Sequence, residues 1–257
     1  MDLGLQGRTA FVCASTAGLG RAVAEAIGHE GANVVVTGRR GTEAAAVAAG
    51  LPSAIGLEVD LLDAGSRAQA VAAAEEAFGV IDILVVNGPG PKASPAADLS
   101  PSDAGTAFAQ LFTPGHDLVS RTLPGMRERG WGRILAIGSS GIAAPLENLA
   151  SSNLGRAALA GYLKTLAAEV APDGVTVNLL LPGRIATDRV AALDAVTAAR
   201  TGADVDDVRR RSEQTIPAGR YGDPAEFGAA GAFLCSAPAS YITGIALRCD
   251  GGLVRSL

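Results

Sequence analysis

The 257-residue sequence predicts an α/β fold: a doubly wound, seven-stranded parallel sheet with helices on both faces. Three observations carry that expectation. Short apolar runs alternate with Ala-rich helical stretches almost throughout. The run Ile81–Val86 shows no polar alternation, as expected of a strand covered on both faces. Hydrophobic residues make up 48% of the chain against 18% charged, with 33 glycines, which suits a large core and many tight strand-to-helix turns.

The elements follow in order. Thr9–Ala14 reads as a strand and Gly18–His29 as a helix, then Asn33–Thr37 as a strand with a helix from about Thr42. Ala54–Glu58 is a third strand, followed by a helix over Ala64–Phe78, and Ile81–Val86 is a fourth strand. A long helical region runs from Pro101 to Arg129, with an interruption expected near Pro114 and Gly115 because proline removes an N–H donor. Arg133–Ile137 is a strand, Ala150–Val170 a helix and Thr176–Leu181 a strand. Residues 187–215 are polar and charged, break the rhythm, and read as a helical lid over the sheet's carboxyl edge, the alternative being an oligomer contact or a solvated flap. Asp223 as N-cap and Pro224 at the first position open a helix to Cys235, and Ile245–Cys249 is the last strand. No linker, repeat or low-complexity tract interrupts residues 1–257, so one domain is expected.

Composition narrows the function classes. The net charge of −5 and the lack of a basic run argue against nucleic acid. No apolar run is long enough to span a membrane, and the N-terminus lacks a signal-peptide pattern, so a cytoplasmic location is expected. Cys13, Cys235 and Cys249 are widely spaced in apolar contexts and read as reduced thiols, and with His29 and His116 they form no metal-ligand pattern.

Candidate binding residues sit at the predicted strand ends. After the first strand, Ala14, Ser15, Thr16, Gly18, Leu19 and Gly20 form a turn entering a helix, where N–H groups can meet a pyrophosphate and Ser15 and Thr16 add hydroxyl donors; ordinary tight packing is the alternative. After the second, Arg39 and Arg40 suit a 2′-phosphate, which favours NADP(H) over NAD(H), against the alternative of a solvated basic turn. Asp60 and Leu61 would flank an adenine, and Asn87 and Gly88 would line the middle of the cofactor.

These motifs together resemble the short-chain dehydrogenase/reductase family, close to its 3-oxoacyl-carrier-protein reductase type, and the resemblance spans nearly the whole chain. The glycine motif falls on Cys13 to Gly20 with Ala14 in place of its first glycine; the Asn-Asn-Ala-Gly motif falls on Asn87 to Gly90; Pro182, Gly183 and Thr187 match positions near the nicotinamide; Asp250-Gly251-Gly252 closes the pattern. The resemblance implies a Rossmann fold, a small-molecule substrate and a homotetramer or homodimer.

The catalytic pattern departs from the family's. Ser139 stands at the serine position, but Ser152 falls where the tyrosine belongs and Arg156 where the lysine belongs, while the asparagine position falls on or near Leu111. No Tyr-x-x-x-Lys occurs in the sequence, so the chain resembles a divergent subgroup. The expected activity is NADPH-dependent reduction of a ketone or 3-oxoacyl-type carbonyl at a Ser139–Ser152–Arg156 site. Its proton would come through water or another acid, with Glu147 and His116 as candidates. Two other readings stay open: a redox-silent lyase, dehydratase or cyclase in which Arg156 steadies an oxyanion, and a catalytically inactive binding homologue.

Overall fold

The computed structural model describes residues 1–255. The strands are β1 (Thr9–Val12), β2 (Asn33–Gly38), β3 (Ala54–Glu58), β4 (Ile83–Val86), β5 (Gly132–Ile137), β6 (Val175–Pro182) and β7 (Ala246–Cys249). They form one sheet in the order β3-β2-β1-β4-β5-β6-β7, and every neighbouring pair is parallel. The helices are α1 (Gly18–His29), α2 (Gly41–Ala49), α3 (Ala64–Phe78), α4 (Pro101–Leu111), α5 (Thr113–Glu128), α6 (Ala150–Val170), α7 (Asp188–Thr201), α8 (Val205–Gln214) and α9 (Pro224–Leu234).

The two-residue period of a strand divides the core in two. On β1, Phe11 joins a cluster with Leu118 and Met126 of α5 and Leu163 of α6, whereas Ala10 and Val12 join Val23 and Ile27 of α1 and Phe227 of α9. On β4, Leu84 and Val86 face the first cluster and Ile83 and Val85 the second. Helices α1 and α9 approach closely because residue 228 is glycine: a β-carbon there would lie 2.4 Å from the carbonyl oxygen of Ala22.

Several element ends differ from the sequence expectation by a residue or two. β1 stops at Val12 because Ala14 turns into the left-handed region with φ 46°. The long helical region divides at Phe112, which closes α4 and opens α5, with Pro114 in the first turn, where a missing N–H costs nothing. Asp223 does cap α9, as part of a reciprocal box in which Glu226 accepts the N–H of Asp223 at 2.7 Å.

Strand order reverses between β1 and β4. In a doubly wound sheet the crossovers from these strands leave in opposite directions and open a crevice at their carboxyl ends.

Candidate active site

That crevice is a cleft of about 1430 Å³, beyond the roughly 300–1,000 Å³ of an ordinary small-molecule pocket. One end is built by the turn after β1. Ala14, Thr16, Gly18 and Leu19 line it. Ala14 holds the left-handed conformation that glycine adopts without strain, so the turn keeps its shape with alanine in it. The side-chain amide of Asn87 donates to the Ala14 carbonyl at 3.2 Å and so ties the β4 end to this turn. No side chain caps α1 and no acidic residue occupies its first turn, so its leading N–H groups are open to an anion.

Ser15 and Gly20 do not line the cleft surface. The Ser15 hydroxyl donates to the Val12 carbonyl at 2.7 Å and accepts the Thr37 N–H at 3.0 Å, and its own N–H donates to the Thr37 carbonyl at 2.8 Å. The expected hydroxyl donor is therefore spent inside the protein, where it holds the turn against β2. Gly20 is buried, and a β-carbon there would lie 2.5 Å from the Ala14 oxygen and 2.7 Å from the Asn87 amide nitrogen. Its role is close approach of helix and turn.

At the β2 end, Arg39 and Arg40 both line the cleft. Arg40 pairs with Glu43 one turn along α2, whereas Arg39 has no hydrogen-bonding or ionic partner among the described residues. The open cation at this end is thus Arg39. Asp60 and Leu61 line the cleft beside it, in a turn where the Asp60 carboxylate accepts the Leu62 N–H at 2.9 Å and the Leu61 carbonyl accepts Arg67 at 2.6 Å. Asn87 and Gly88 form the middle of the wall.

The far wall joins β5 to α6. Ser139 follows β5 and its hydroxyl oxygen accepts the Gly141 N–H at 3.1 Å, which leaves its proton free to donate. Ser152 and Arg156 lie one turn apart on α6, and all three residues line the cleft. Arg156 Nε donates to the Ser152 hydroxyl at 3.3 Å, while its Nη1 donates to the carbonyls of Ile137 at 3.2 Å and Gly138 at 3.1 Å. Desolvation, helped by the nearby charge of Arg189, pushes Arg156 down to about 10, so it remains a cation at neutral pH. Leu111 lines the same wall and brings no polar group to it. Gly155 lets α4 close in, since a β-carbon there would lie 2.7 Å from the Ala107 oxygen.

Neither proposed proton donor reaches this wall. Glu147 is exposed on the loop before α6 and His116 is exposed on α5, and both lie outside the cleft. His116 belongs instead to a ring cluster, 5.5 Å from Phe112 and 5.1 Å from Tyr162 between centroids. Glu147 and His116 thus take the places of a solvated loop carboxylate and a helix-surface residue, the alternatives to their candidacy as proton donors.

Pro182, Gly183 and Thr187 continue the cleft past β6. Residue 183 must be small, as a β-carbon would lie 2.6 Å from Asp250 Cα. Thr187 caps α7 by accepting the Val190 N–H at 3.4 Å. Val190 and Leu193 of α7 and Val208 and Arg211 of α8 line the cleft on this side. Arg189, which no motif singled out, also lines the cleft from the first turn of α7. Only its place two residues after Thr187 could have drawn attention to it.

Among the described residues no group of three His, Cys, Asp or Glu could hold a metal ion, and no helix is long and apolar enough to cross a membrane.

Residues 13–254 match the family described as Enoyl-(Acyl carrier protein) reductase. The chain is 33% identical over 254 residues to the 3-oxoacyl-[acyl-carrier-protein] reductase FabG of Vibrio harveyi, covering 98% of this chain and 99% of that one. Among solved structures it is similar to the L-sorbose reductase of Gluconobacter frateurii, determined with NADPH and L-sorbose, at TM-score 0.94 and 28% identity over 100% of both chains. It is also similar to YwfH, an NADPH-dependent reductase involved in bacilysin biosynthesis, at TM-score 0.92 and 29% identity over 97% of this chain and 99% of that one.

Proposed function

Because the chain belongs to the short-chain dehydrogenase/reductase superfamily, we propose that it is an NADPH-dependent reductase of a small carbonyl compound, working through Ser139, Ser152 and Arg156 in place of the usual phenol and amine. The observation that carries this reading is a pair of open cation-like features at two places in one cleft. The uncapped α1 N-terminus suits a pyrophosphate, and the unpartnered Arg39 suits a 2′-phosphate. Asp60 and Leu61 would flank the adenine, Asn87 and Gly88 would line the middle of the cofactor, and Pro182, Gly183 and Thr187 would line the nicotinamide half.

Bound NADPH supplies the hydride. The hydroxyls of Ser139 and Ser152 hold the carbonyl oxygen, and Arg156 stabilises the negative charge that develops on it. A guanidinium is a poor proton donor near neutral pH, and a serine hydroxyl is a weak acid, so the proton comes from bulk solvent, relayed to the product alkoxide through water in the cleft. The 187–215 segment acts as a lid that excludes bulk water after binding. The exposed Phe108 and the rings of Phe112, His116 and Tyr162 form an aromatic face on α4, α5 and α6 that suits contact with a second copy, in a homodimer or homotetramer. The expected location is the cytoplasm.

The direct test is titration with NADPH and NADH followed by nucleotide fluorescence, then a screen of ketones and oxo acids for NADPH oxidation. Micromolar NADPH binding with turnover supports the reading. No binding at millimolar concentrations of either nucleotide would overturn it and leave the redox-silent and non-catalytic readings.

A further inference from the structure

We infer that the substrate of this site carries a carboxylate on an otherwise apolar body, and that the carboxylate is held between Arg156 of α6 and Arg189 of α7. The inference rests on the reductase reading for the neighbouring reaction, but its evidence is the charge inventory of the cleft.

Six arginines line the cleft (Arg39, Arg40, Arg156, Arg184, Arg189 and Arg211) against two acids, Asp60 and Asp188, in a chain whose net charge is −5. Arg40 is paired with Glu43 and Arg184 with Asp194. Arg39 stands at the far, β2 end. Arg156, Arg189 and Arg211 remain, and no carboxylate of the described residues lies within ion-pair distance of any of the three; Arg211 stands apart on α8, whereas Arg156 and Arg189 are close enough for their charges to act on one another.

Both are in places where an unpaired cation is unfavourable. Arg156 is desolvated by the wall it helps to build, and a desolvated charge is costly unless a counter-charge meets it. Its Nε and Nη1 are engaged by Ser152 and the β5 carbonyls, which leaves Nη2 without a protein partner. Arg189 sits in the first turn of α7, where the helix dipole already presents positive charge. Its guanidinium reaches across to the loop after β4: a β-carbon at Gly90 would lie 2.7 Å from Nη2, so glycine there makes room for it. The two like charges repel one another across the cleft, and an anion between them removes that repulsion.

A guanidinium fork matches a carboxylate in two parallel hydrogen bonds; Arg189 can present that fork, and Nη2 of Arg156 adds a further donor. The surrounding wall is apolar, with Leu111, Leu149, Leu159 and Leu193 lining the same space. An anionic head between arginines and a body among leucines describe an oxo acid with a hydrocarbon chain, rather than a sugar or a neutral thioester.

The test uses three probes with one carbon skeleton: 3-oxooctanoate, its methyl ester and its N-acetylcysteamine thioester. Each is titrated by calorimetry into the full chain, alone and saturated with NADP+. The acid is expected to bind at least tenfold more tightly than either neutral probe. Arg189→Ala should remove that preference without weakening the ester, Arg189→Lys should restore part of it, and NADPH affinity should change less than threefold in both. Equal binding of acid and ester, tighter binding of the thioester, or failure of the acid to bind would overturn the inference. So would an Arg189→Ala variant that loses NADPH as severely as it loses the acid, which would assign Arg189 to the cofactor. Failure of NADPH to bind would sink the reductase reading alone, since the acid–ester comparison on the cofactor-free chain still decides this one.

Discussion

The hydroxyl of Tyr221 donates to a carboxylate oxygen of Asp194 at 2.9 Å, and this bond joins the α7 helix to the segment that precedes α9. The other carboxylate oxygen accepts Arg184 at 3.1 Å, just past β6, so one buried acid ties α7 to the rest of the fold at two points. Tyr221→Phe should cost about 1 kcal/mol of stability, and Asp194→Ala about 1–3 kcal/mol because it leaves Arg184 without its partner. Denaturant midpoints measure the loss. Limited proteolysis should show earlier cleavage within 187–215 in both variants, and a cleavage pattern unchanged from wild type would mean that this tie does not control the proposed lid.

Arg39 and Arg40 should separate by experiment. Arg40 already has Glu43, so Arg39→Ala is expected to weaken NADPH by at least tenfold, or about 1.4 kcal/mol, and to leave NADH nearly untouched. Arg40→Ala should have the smaller effect. Equal losses for NADPH and NADH in Arg39→Ala would refute the 2′-phosphate assignment.

Ala14 holds a φ of 46°, which costs a β-carbon-bearing residue roughly 1–2 kcal/mol. Ala14→Gly should relieve that strain at the expense of some unfolded-state entropy, and the midpoint of thermal unfolding should rise or hold. Gly20→Ala should do the reverse, because its new methyl would meet the Ala14 oxygen at 2.5 Å. Stability and nucleotide affinity are expected to fall together in that variant, and a well-folded, tightly binding Gly20→Ala protein would contradict the packing described here.

Ser139→Ala should abolish turnover on a true substrate. Arg156→Ala should lower kcat by about 10²–10³, the range found when one preorganised donor to a developing oxyanion is removed. Single-turnover rates measure both, and an unchanged rate in Ser139→Ala would place the chemistry elsewhere.

The aromatic face should be read by mass in solution. Phe108 is exposed and stacks on Phe112 at 4.4 Å between centroids, with Tyr162 edge-on to Phe112 at 5.6 Å. A Phe108→Glu, Tyr162→Arg pair is expected to shift light-scattering mass toward the 25.7 kDa monomer. If wild type is itself monomeric, the proposed contact between copies is wrong.

Strand and helix placement was legible in the sequence because it depends on local periodicity. Gly18–His29, Ala54–Glu58, Ala64–Phe78 and Ala150–Val170 fall where the apolar pattern puts them. The ends were less legible, as at Val12, where a backbone turn at Ala14 rather than a change in hydrophobicity stops the strand. In the site, spacing made readable both the strand-end residues Arg39, Asp60, Asn87 and Ser139 and the α6 pair Ser152 and Arg156, and all six reach one cleft. Which hydroxyl is free was not readable. Ser15 and Thr16 look alike in sequence, and only their partners distinguish the buried Ser15 from Thr16 on the cleft wall. Arg189 was invisible for a related reason, since its meaning comes from Arg156 and Gly90, far away along the chain.

The guanidinium that grips the last carbonyls of the fifth strand gives this wall a single point of dependence. Under the proposed reaction this one side chain would both support the strand end and serve the chemistry, so a change at position 156 would touch both at once. Replacing Arg156 with lysine gives up the planar guanidinium whose Nη1 bridges the carbonyls of Ile137 and Gly138, so the strand end loosens whatever stands at position 152. Positions 152 and 156 are therefore coupled through this guanidinium, and neither side chain is exchanged without consequence for the other.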